Sequence, residues 1–228
     1  MKISIIVPSY NEEKTLQIII NKLLKLRIKA KKEIIIVDDG STDNTKKILQ
    51  SFSSNKFVKI IRNKKNLGKG ASIKKALKIS SGDIIVIQDA DLEYNPDDIN
   101  NLLQPFKNKS IKVVYGSRVL LKKNPISHWT FNMGGKFITY ITNVLYKTNI
   151  SDEPTGYKAF KKEIFRNIKI NSRRFEFCPE ITAKISKANI KIVEVPISYN
   201  PRQISEKKIK WHDGILAIYY LLKYRLLD

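Results

Sequence analysis

Cysteine and histidine are nearly missing from this chain: one Cys, Cys178, and two His, His128 and His212, among 228 residues. A lone cysteine excludes an internal disulfide framework and fits a reducing compartment. With so few ligands there is no CxxC pair and no Cys/His zinc set. Long uncharged apolar runs are absent too, so no transmembrane span is expected. Met1-Lys2 leads straight into the strand-like Ile3–Pro8, without a secretory h-region, and the expected location is the cytoplasm. Glycine is sparse. It forms neither a G-x-G-x-x-G after the first strand nor a G-x-x-x-x-G-K-[ST], which counts against dinucleotide and P-loop binding. Acid is scarce relative to base: 21 Asp+Glu against 43 Lys+Arg give a formal net charge of +22. Such an excess attracts phosphate in nucleic acid, in nucleotides or on an anionic membrane face, and by itself narrows the partner only to "anionic".

What is present is a folded-protein composition, 42% hydrophobic with 9% aromatic, in a chain long enough for a sizeable core. Short β-branched runs alternate with segments of helical spacing through the first half. Strands are expected at Ile3–Pro8, Glu33–Val37, Phe57–Arg62, Ile84–Ile87 and Lys112–Gly116. Between them, helices are expected over Glu12–Leu26 with Asn11 as a candidate N-cap, about Asp43–Ser51, after Asn66–Gly70 to about Ile79, and from Pro96 to about Phe106. This alternation means βαβ units and a largely parallel sheet. The second half is less regular. Ser127–Lys147 reads as one or two amphipathic helices, Asp152–Lys158 as a loop, Pro179–Lys187 as a helix, Ile190–Val195 as a strand and Asp213–Leu227 as a terminal helix. One domain over 1–228 is expected.

The central stretch is Gly82–Pro96, GDIIVIQDADLEYNP. In open α/β sheets ligands collect at the carboxyl ends of strands, where Asp89 and Asp91 stand one residue apart. Two hard carboxylates there suit Mg²⁺ or Mn²⁺, with a substrate phosphate completing the shell. The competing reading is that these acids cap the helix after Pro96. Three other strand ends, Pro8–Glu12, Asp38–Asp43 and Asn66–Gly70, converge on the same crevice. Asp39 is suited to accept hydrogen bonds from a base or ribose, Gly68 and Gly70 to let backbone approach a ligand, and Lys69 to supply charge. Helix capping and a plain turn are the bland readings of these segments.

The order IVPSYNEE, IIIVDDGSTD, NLGKG, GDIIVIQDADLEYNP, GSR, TGYKAF and PEITAKI resembles the family-2 glycosyltransferases, and within them the polyprenyl-phosphate (dolichyl-phosphate) mannose or glucose synthase type. The resemblance covers nearly the whole chain. It implies a GT-A fold, α/β with a Rossmann-like, mostly parallel sheet flanked by helices. Residues 1–118 would form the nucleotide-sugar half and 119–228 the acceptor half with amphipathic helices. It implies that Pro8, Tyr10, Glu12, Asp39 and Lys69 hold the nucleoside of GDP-mannose or UDP-glucose. Asp89, Ala90 and Asp91 would form the D-x-D segment, with Asp89, Asp91 and Glu93 as metal ligands for Mg²⁺ or Mn²⁺. The metal would neutralise the departing nucleoside diphosphate.

Arg118, Arg202 and Lys208 match basic positions of that subgroup, and an Arg fork suits the phosphate of a polyprenyl-phosphate acceptor. Asp91, Arg118, Arg202 and Glu180 make up the expected catalytic set. Thr155 and Gly156 are expected to line the sugar pocket, with Asp152 supporting their loop. Glu180 has three readings: a base for a hydroxyl acceptor, a donor-sugar ligand, or a first-turn helix acid. Two rivals accompany the lipid-phosphate reading. One is a transferase acting on a saccharide hydroxyl; the other is a basic nucleic-acid module, against which stands the lack of any RNP, KH or zinc-finger pattern, so no nucleic-acid partner is expected. Trp129–Tyr146 and Ile215–Leu227, flanked by lysines, would provide peripheral contact with the cytoplasmic membrane face or with a membrane partner subunit.

Overall fold

The computed structural model describes residues 1–126 and 128–227, with the side chain of Ile204 left aside. Seven strands form one sheet: β1 (Lys2–Ser9), β2 (Lys31–Asp38), β3 (Val58–Arg62), β4 (Ile84–Ile87), β5 (Val113–Ser117), β6 (Lys158–Lys161) and β7 (Ile192–Pro196). Their order is β3-β2-β1-β4-β6-β5-β7. The first four pair in parallel, β6 runs antiparallel to both β4 and β5, and β7 is parallel to β5. β6 is thus the one reversed strand among those described. Central strands buried on both faces carry near-continuous apolar runs, and Ile84–Ile87 is buried throughout.

The α-helices are α1 (Leu16–Lys25), α2 (Thr45–Gln50), α3 (Lys69–Ile79), α4 (Ile99–Leu103), α5 (Trp129–Tyr146), α6 (Phe177–Lys187) and α7 (Trp211–Leu226). α1 buries Leu16, Ile19, Ile20 and Leu23, the i, i+3, i+4, i+7 pattern of a helix lying on a sheet. One face of the sheet packs with Leu16, Leu23, Leu102 and Tyr157; the other packs with Ile73, Phe177, Ile181 and Ile185. A third cluster, with Ile138, Tyr146, Ala183, Leu221 and Tyr224, joins α5, α6 and α7.

Three expectations are corrected. Asn11 does not cap α1: it sits at φ 50°, its side chain accepts from the Thr42 amide, and α1 starts five residues further on, at Leu16 after Thr15. The stretch read wholly as a loop from Asp152 runs into strand β6, whose first residue is Lys158. Lysine hid that strand, yet Lys158 is fully buried. Its Nζ lies 3.5 Å from the Tyr115 ring centroid and donates to the Glu153 carbonyl, so cation–π attraction and one hydrogen bond stand in for water. The helix expected from Pro96 is split into a 3₁₀ turn, α4 and a second 3₁₀ turn. Ser127, where the amphipathic stretch was expected to begin, lies outside the described residues; from Trp129 that stretch is one helix.

Candidate active site

Strand order reverses between β1 and β4, and a cavity of about 960 Å³ opens at their carboxyl ends, where such a crevice is expected. Its lining includes Pro8, Tyr10, Glu12, Asp39, Lys69, Asp89, Ala90, Asp91, Glu93, Arg118, Gly156, Arg202 and Lys208. The structure therefore brings together nearly every candidate drawn from the sequence.

The D-x-D turn is backbone-strained. Leu92, a bulky residue, stands at φ 64°, in the left-handed region that such side chains avoid. Asp91 Oδ1 accepts the Glu93 amide at 3.1 Å and so closes the turn. Gln88, buried beneath it, donates to the Asp89 and Tyr94 carbonyls. The Tyr94 hydroxyl accepts the Gly156 amide at 3.1 Å, tying the turn to the 152–156 loop. Burial pushes that phenol well above its ordinary range.

The acids at the D-x-D end, Glu12, Asp89, Asp91 and Glu93, each meet a cation of the chain, whereas Asp39 accepts from the Asn63 side chain and the Leu67 and Gly68 amides. Lys69, the first residue of α3, lies 2.5 Å from Asp89 Oδ1. Burial pulls the ammonium down, and Asp89, Cys178 and Glu93 more than offset it, so its pKa is raised. Arg202 donates to both oxygens of Glu12 at 2.9 Å and to the Asp91 carbonyl, and lies 3.5 Å from Asp91 Oδ2. Lys208 donates to Glu12 Oε1 at 2.7 Å and to the Tyr10 carbonyl. Glu93 accepts the Arg202 amide and pairs with Lys207 at 3.9 Å. Arg202 and Lys208 thus lie over the D-x-D end of the cavity.

Among the described residues no three His, Cys, Asp or Glu side chains converge as a metal cage. Asp89, Asp91 and Glu93 all line the cavity, and each is paired with a cation of the chain: Asp89 with Lys69, Asp91 with Arg202 and Glu93 with Lys207. The two hard carboxylates of the D-x-D, without a cage, suit an ion that keeps waters and takes the rest of its shell from a substrate phosphate, as Mg²⁺ does.

Arg118 occupies the other side. It follows β5, and its Nε and Nη2 form a bidentate pair with Asp152 at 2.8 and 2.6 Å, while its guanidinium lies 5.2 Å from the Tyr199 ring. Burial alone would lower its pKa; Asp152 holds it well above the ordinary value. Asp152 therefore supports the arginine as well as its own loop.

Two sequence candidates stand apart from the cavity lining. Thr155 is fully buried and turns its hydroxyl to the Tyr157 amide. Glu180 is also fully buried: its oxygens accept the Asn171 and Ser172 amides at 2.7 Å each, and Lys184 pairs with Oε1 at 2.6 Å. Of its three readings, the helix acid in the first turn of α6 matches this geometry. These hydrogen bonds overcome burial and hold its pKa low, the reverse of what a general base at neutral pH needs. The 172–174 segment it anchors caps α3, accepting the Gly70 and Ala71 amides. Gly68 (φ 98°) has no room for a Cβ against the Arg173 carbonyl.

Sequence reasoning missed Glu153 and the contacts made by Gln88. Glu153 is fully buried at the cavity wall, and burial raises its pKa; Oε1 accepts the Thr182 hydroxyl at 3.1 Å. No motif signals it, because its partners come from α5, α6 and β6.

Comparison with known proteins follows the same lines. The model of glycosyl transferase family 2 matches residues 4–169. A dolichol-phosphate mannosyltransferase of Pyrococcus furiosus is 32% identical over 98% of this chain, which spans 64% of that relative's length. A UDP-N-acetylglucosamine–dolichyl-phosphate N-acetylglucosaminyltransferase of Methanococcus voltae is 34% identical over 86% of this chain and 84% of its own. Among solved structures, glucosyl-3-phosphoglycerate synthase of Mycobacterium tuberculosis, in complex with Mn²⁺, UDP and phosphoglyceric acid, superposes with a TM-score of 0.74. It covers all of this chain and 79% of its own, at 18% identity, a likeness of fold. With the family model spanning well over half its length, and the D-x-D turn at the mouth of a mostly parallel sheet, this chain belongs to glycosyl transferase family 2.

Proposed function

We propose that this protein transfers a hexose from a nucleotide-sugar to a polyprenyl phosphate, with inversion and with Mg²⁺ or Mn²⁺. The observation that carries this reading is the junction of two unlike surfaces at one cavity. At the D-x-D end lie the acids and cations described above. At the other, the wall is built from the first halves of α5 and α7, with Thr130, Phe131, Gly135, Trp211 and Gly214 among its residues. Continuous with that wall, those helices present exposed stripes: Trp129, Met133, Phe137, Tyr140 and Val144 on α5, and Trp211, Ile215, Tyr219, Leu222 and Leu226 on α7. Spacings of three and four place each set on one helix face. An acceptor with a charged head and a long hydrocarbon matches that junction; a free saccharide does not use the stripe.

Asp89 and Asp91 would hold the metal, which supplies charge neutralisation for the departing diphosphate. The mycobacterial structure, in complex with Mn²⁺ and UDP, supports such a site by likeness of fold. Lys69 and Arg202 bring cations to the same diphosphate, and Pro8, Tyr10 and Asp39 form the nucleoside side of the cavity. Arg118, oriented by Asp152, stands where it would meet the acceptor phosphate. A phosphate monoester has a second pKa of about 6, so its oxygen is ionised at neutral pH and needs no base. This agrees with Glu180 being withheld from the cavity.

No helix among the described residues is long and apolar enough to cross a membrane. The stripes on α5 and α7, with Lys136, Lys147, Lys210 and Lys223 on the same helices or at their ends, supply instead the amphipathic surface by which the protein would lie on an anionic leaflet.

The test is transfer of radiolabel from GDP-mannose, UDP-glucose and UDP-N-acetylglucosamine, offered separately, to dolichyl or undecaprenyl phosphate with Mn²⁺. Metal-dependent label in the organic phase, absent from Asp91→Ala, is the expected result. Label on water-soluble saccharide alone would overturn the lipid-phosphate reading.

A further inference from the structure

Glu12 has the surroundings of an anchor. Its side chain is 10% exposed and accepts four hydrogen bonds from three donors: the Thr15 hydroxyl at 3.0 Å, Arg202 Nη2 twice at 2.9 Å, and Lys208 at 2.7 Å. Arg202 and Lys208 both belong to the 200–210 segment, which crosses the mouth of the cavity between β7 and α7. The same segment is stitched to the D-x-D turn by the Asn200 and Arg202 amides, which donate to Glu93. Its cations therefore meet the very turn that a metal–diphosphate must approach.

We propose that Glu12 is a positioning residue that competes with the donor diphosphate for Arg202. The proposal rests on reading the cavity as a nucleotide-sugar site. A guanidinium 3.5 Å from Asp91 Oδ2 and a divalent ion on the same carboxylate repel one another, whereas a phosphate oxygen between them attracts both. An Arg fork accepts a phosphate in place of a carboxylate with the same geometry. Moving Arg202 from Glu12 to the diphosphate exchanges one charge-assisted pair for another, and the 200–210 segment is carried with it. Glu12 then sets how tightly the enzyme must hold a donor before that segment follows. A role as a plain nucleoside ligand makes the opposite forecast for its removal.

The test is calorimetric titration of the full chain with UDP and with GDP, each with Mn²⁺. Glu12→Gln removes the nearer of the two carboxylates that hold Arg202; binding of whichever nucleotide the wild type takes is expected to tighten roughly twofold to fivefold, the range for losing one ion pair of this kind. Glu206→Gln, which removes an equal charge from the same segment without touching Arg202, is expected to leave affinity unchanged. Weaker or unaltered binding by Glu12→Gln would overturn the proposal, as would equal tightening by Glu206→Gln. Limited proteolysis gives an independent reading without nucleotide. Glu206, exposed and the one acid of residues 200–210, should be cut several-fold faster by a glutamyl endopeptidase in Glu12→Gln and in Arg202→Met. Unchanged cleavage in both overturns the anchor. If the wild type binds neither nucleotide, the nucleotide-sugar reading falls, and proteolysis still decides whether Glu12 holds the segment.

Discussion

Lys69 Nζ stands 2.5 Å from Asp89 Oδ1, and Gly156 leaves the space in which that pair forms. A Cβ built on Gly156 would run into Asp89 Oδ2 and come within 3.0 Å of Lys69 Nζ. A single methyl group therefore reaches both residues assigned to the diphosphate. Gly156→Ala is expected to raise the donor KM roughly tenfold or more, as misplacement of positioning groups does, while the melting temperature changes little. Initial rates against donor concentration would check this. An unaltered KM would mean that the pair does not meet the donor.

Glu180 is expected to behave as a buttress. Glu180→Gln keeps the size and one acceptor oxygen but gives up the charge that meets Lys184 and two amides. A loss of about 1–3 kcal/mol of stability is expected for such buried, charge-assisted bonds, read by chemical denaturation. Transfer, measured where the variant is folded, should stay within a few-fold of wild type. Collapse of kcat at native stability would instead restore a chemical role for this carboxylate.

These two residues mark the limit of sequence reading. The β1, β2 and β4 strands and the acids at their ends were legible because apolar runs and carboxylate clusters are local signals. The cavity lining confirms that Asp39, Lys69, Asp89, Asp91, Arg118 and Arg202 converge. The direction in which Glu180 points was not legible, since a first-turn helix acid looks the same whether it faces a cavity or a loop nine residues back. Strand β6 was obscured because burial of Lys158 depends on Tyr115, 43 residues earlier in the chain. The placement of Arg202 on Glu12 spans 190 residues, beyond any local pattern.

The exposed stripes of α5 and α7 lead to an expectation about surfaces. Met133 and Tyr219 are both more than half exposed, so Met133→Glu and Tyr219→Glu should leave thermal stability nearly unchanged. On a membrane-facing helix an acid instead opposes both apolar burial and the anionic leaflet. Co-sedimentation with vesicles rich in anionic lipid should fall several-fold for each variant and further for the pair. Transfer to a short-chain, detergent-dispersed acceptor should fall much less. Undiminished sedimentation of the double variant would move membrane contact away from this face.

A last expectation concerns acid stability and comes from the opposite end of the sheet. Glu33, in β2, accepts from Ser4 Oγ at 2.5 Å and the Ser81 amide at 2.6 Å, and pairs with Lys59 at 2.8 Å. Burial works to raise its pKa, but Lys59, Ser4 and Ser81 outweigh it and lower the value from 4.5 to about 2. A carboxylate whose folded pKa lies below its unfolded one binds its proton more weakly in the native state. It therefore stabilises fully above about pH 4.5 and loses that contribution as pH falls towards 2. Because Lys59 is partly exposed, the contribution is about 2 kcal/mol, below the full equivalent of the shift. Glu33→Gln should lower the urea midpoint at pH 7, and its stability should decline less steeply than that of wild type between pH 4.5 and 2. Parallel pH profiles for the two proteins would show that the Ser4–Lys59–Ser81 cluster does not hold this charge.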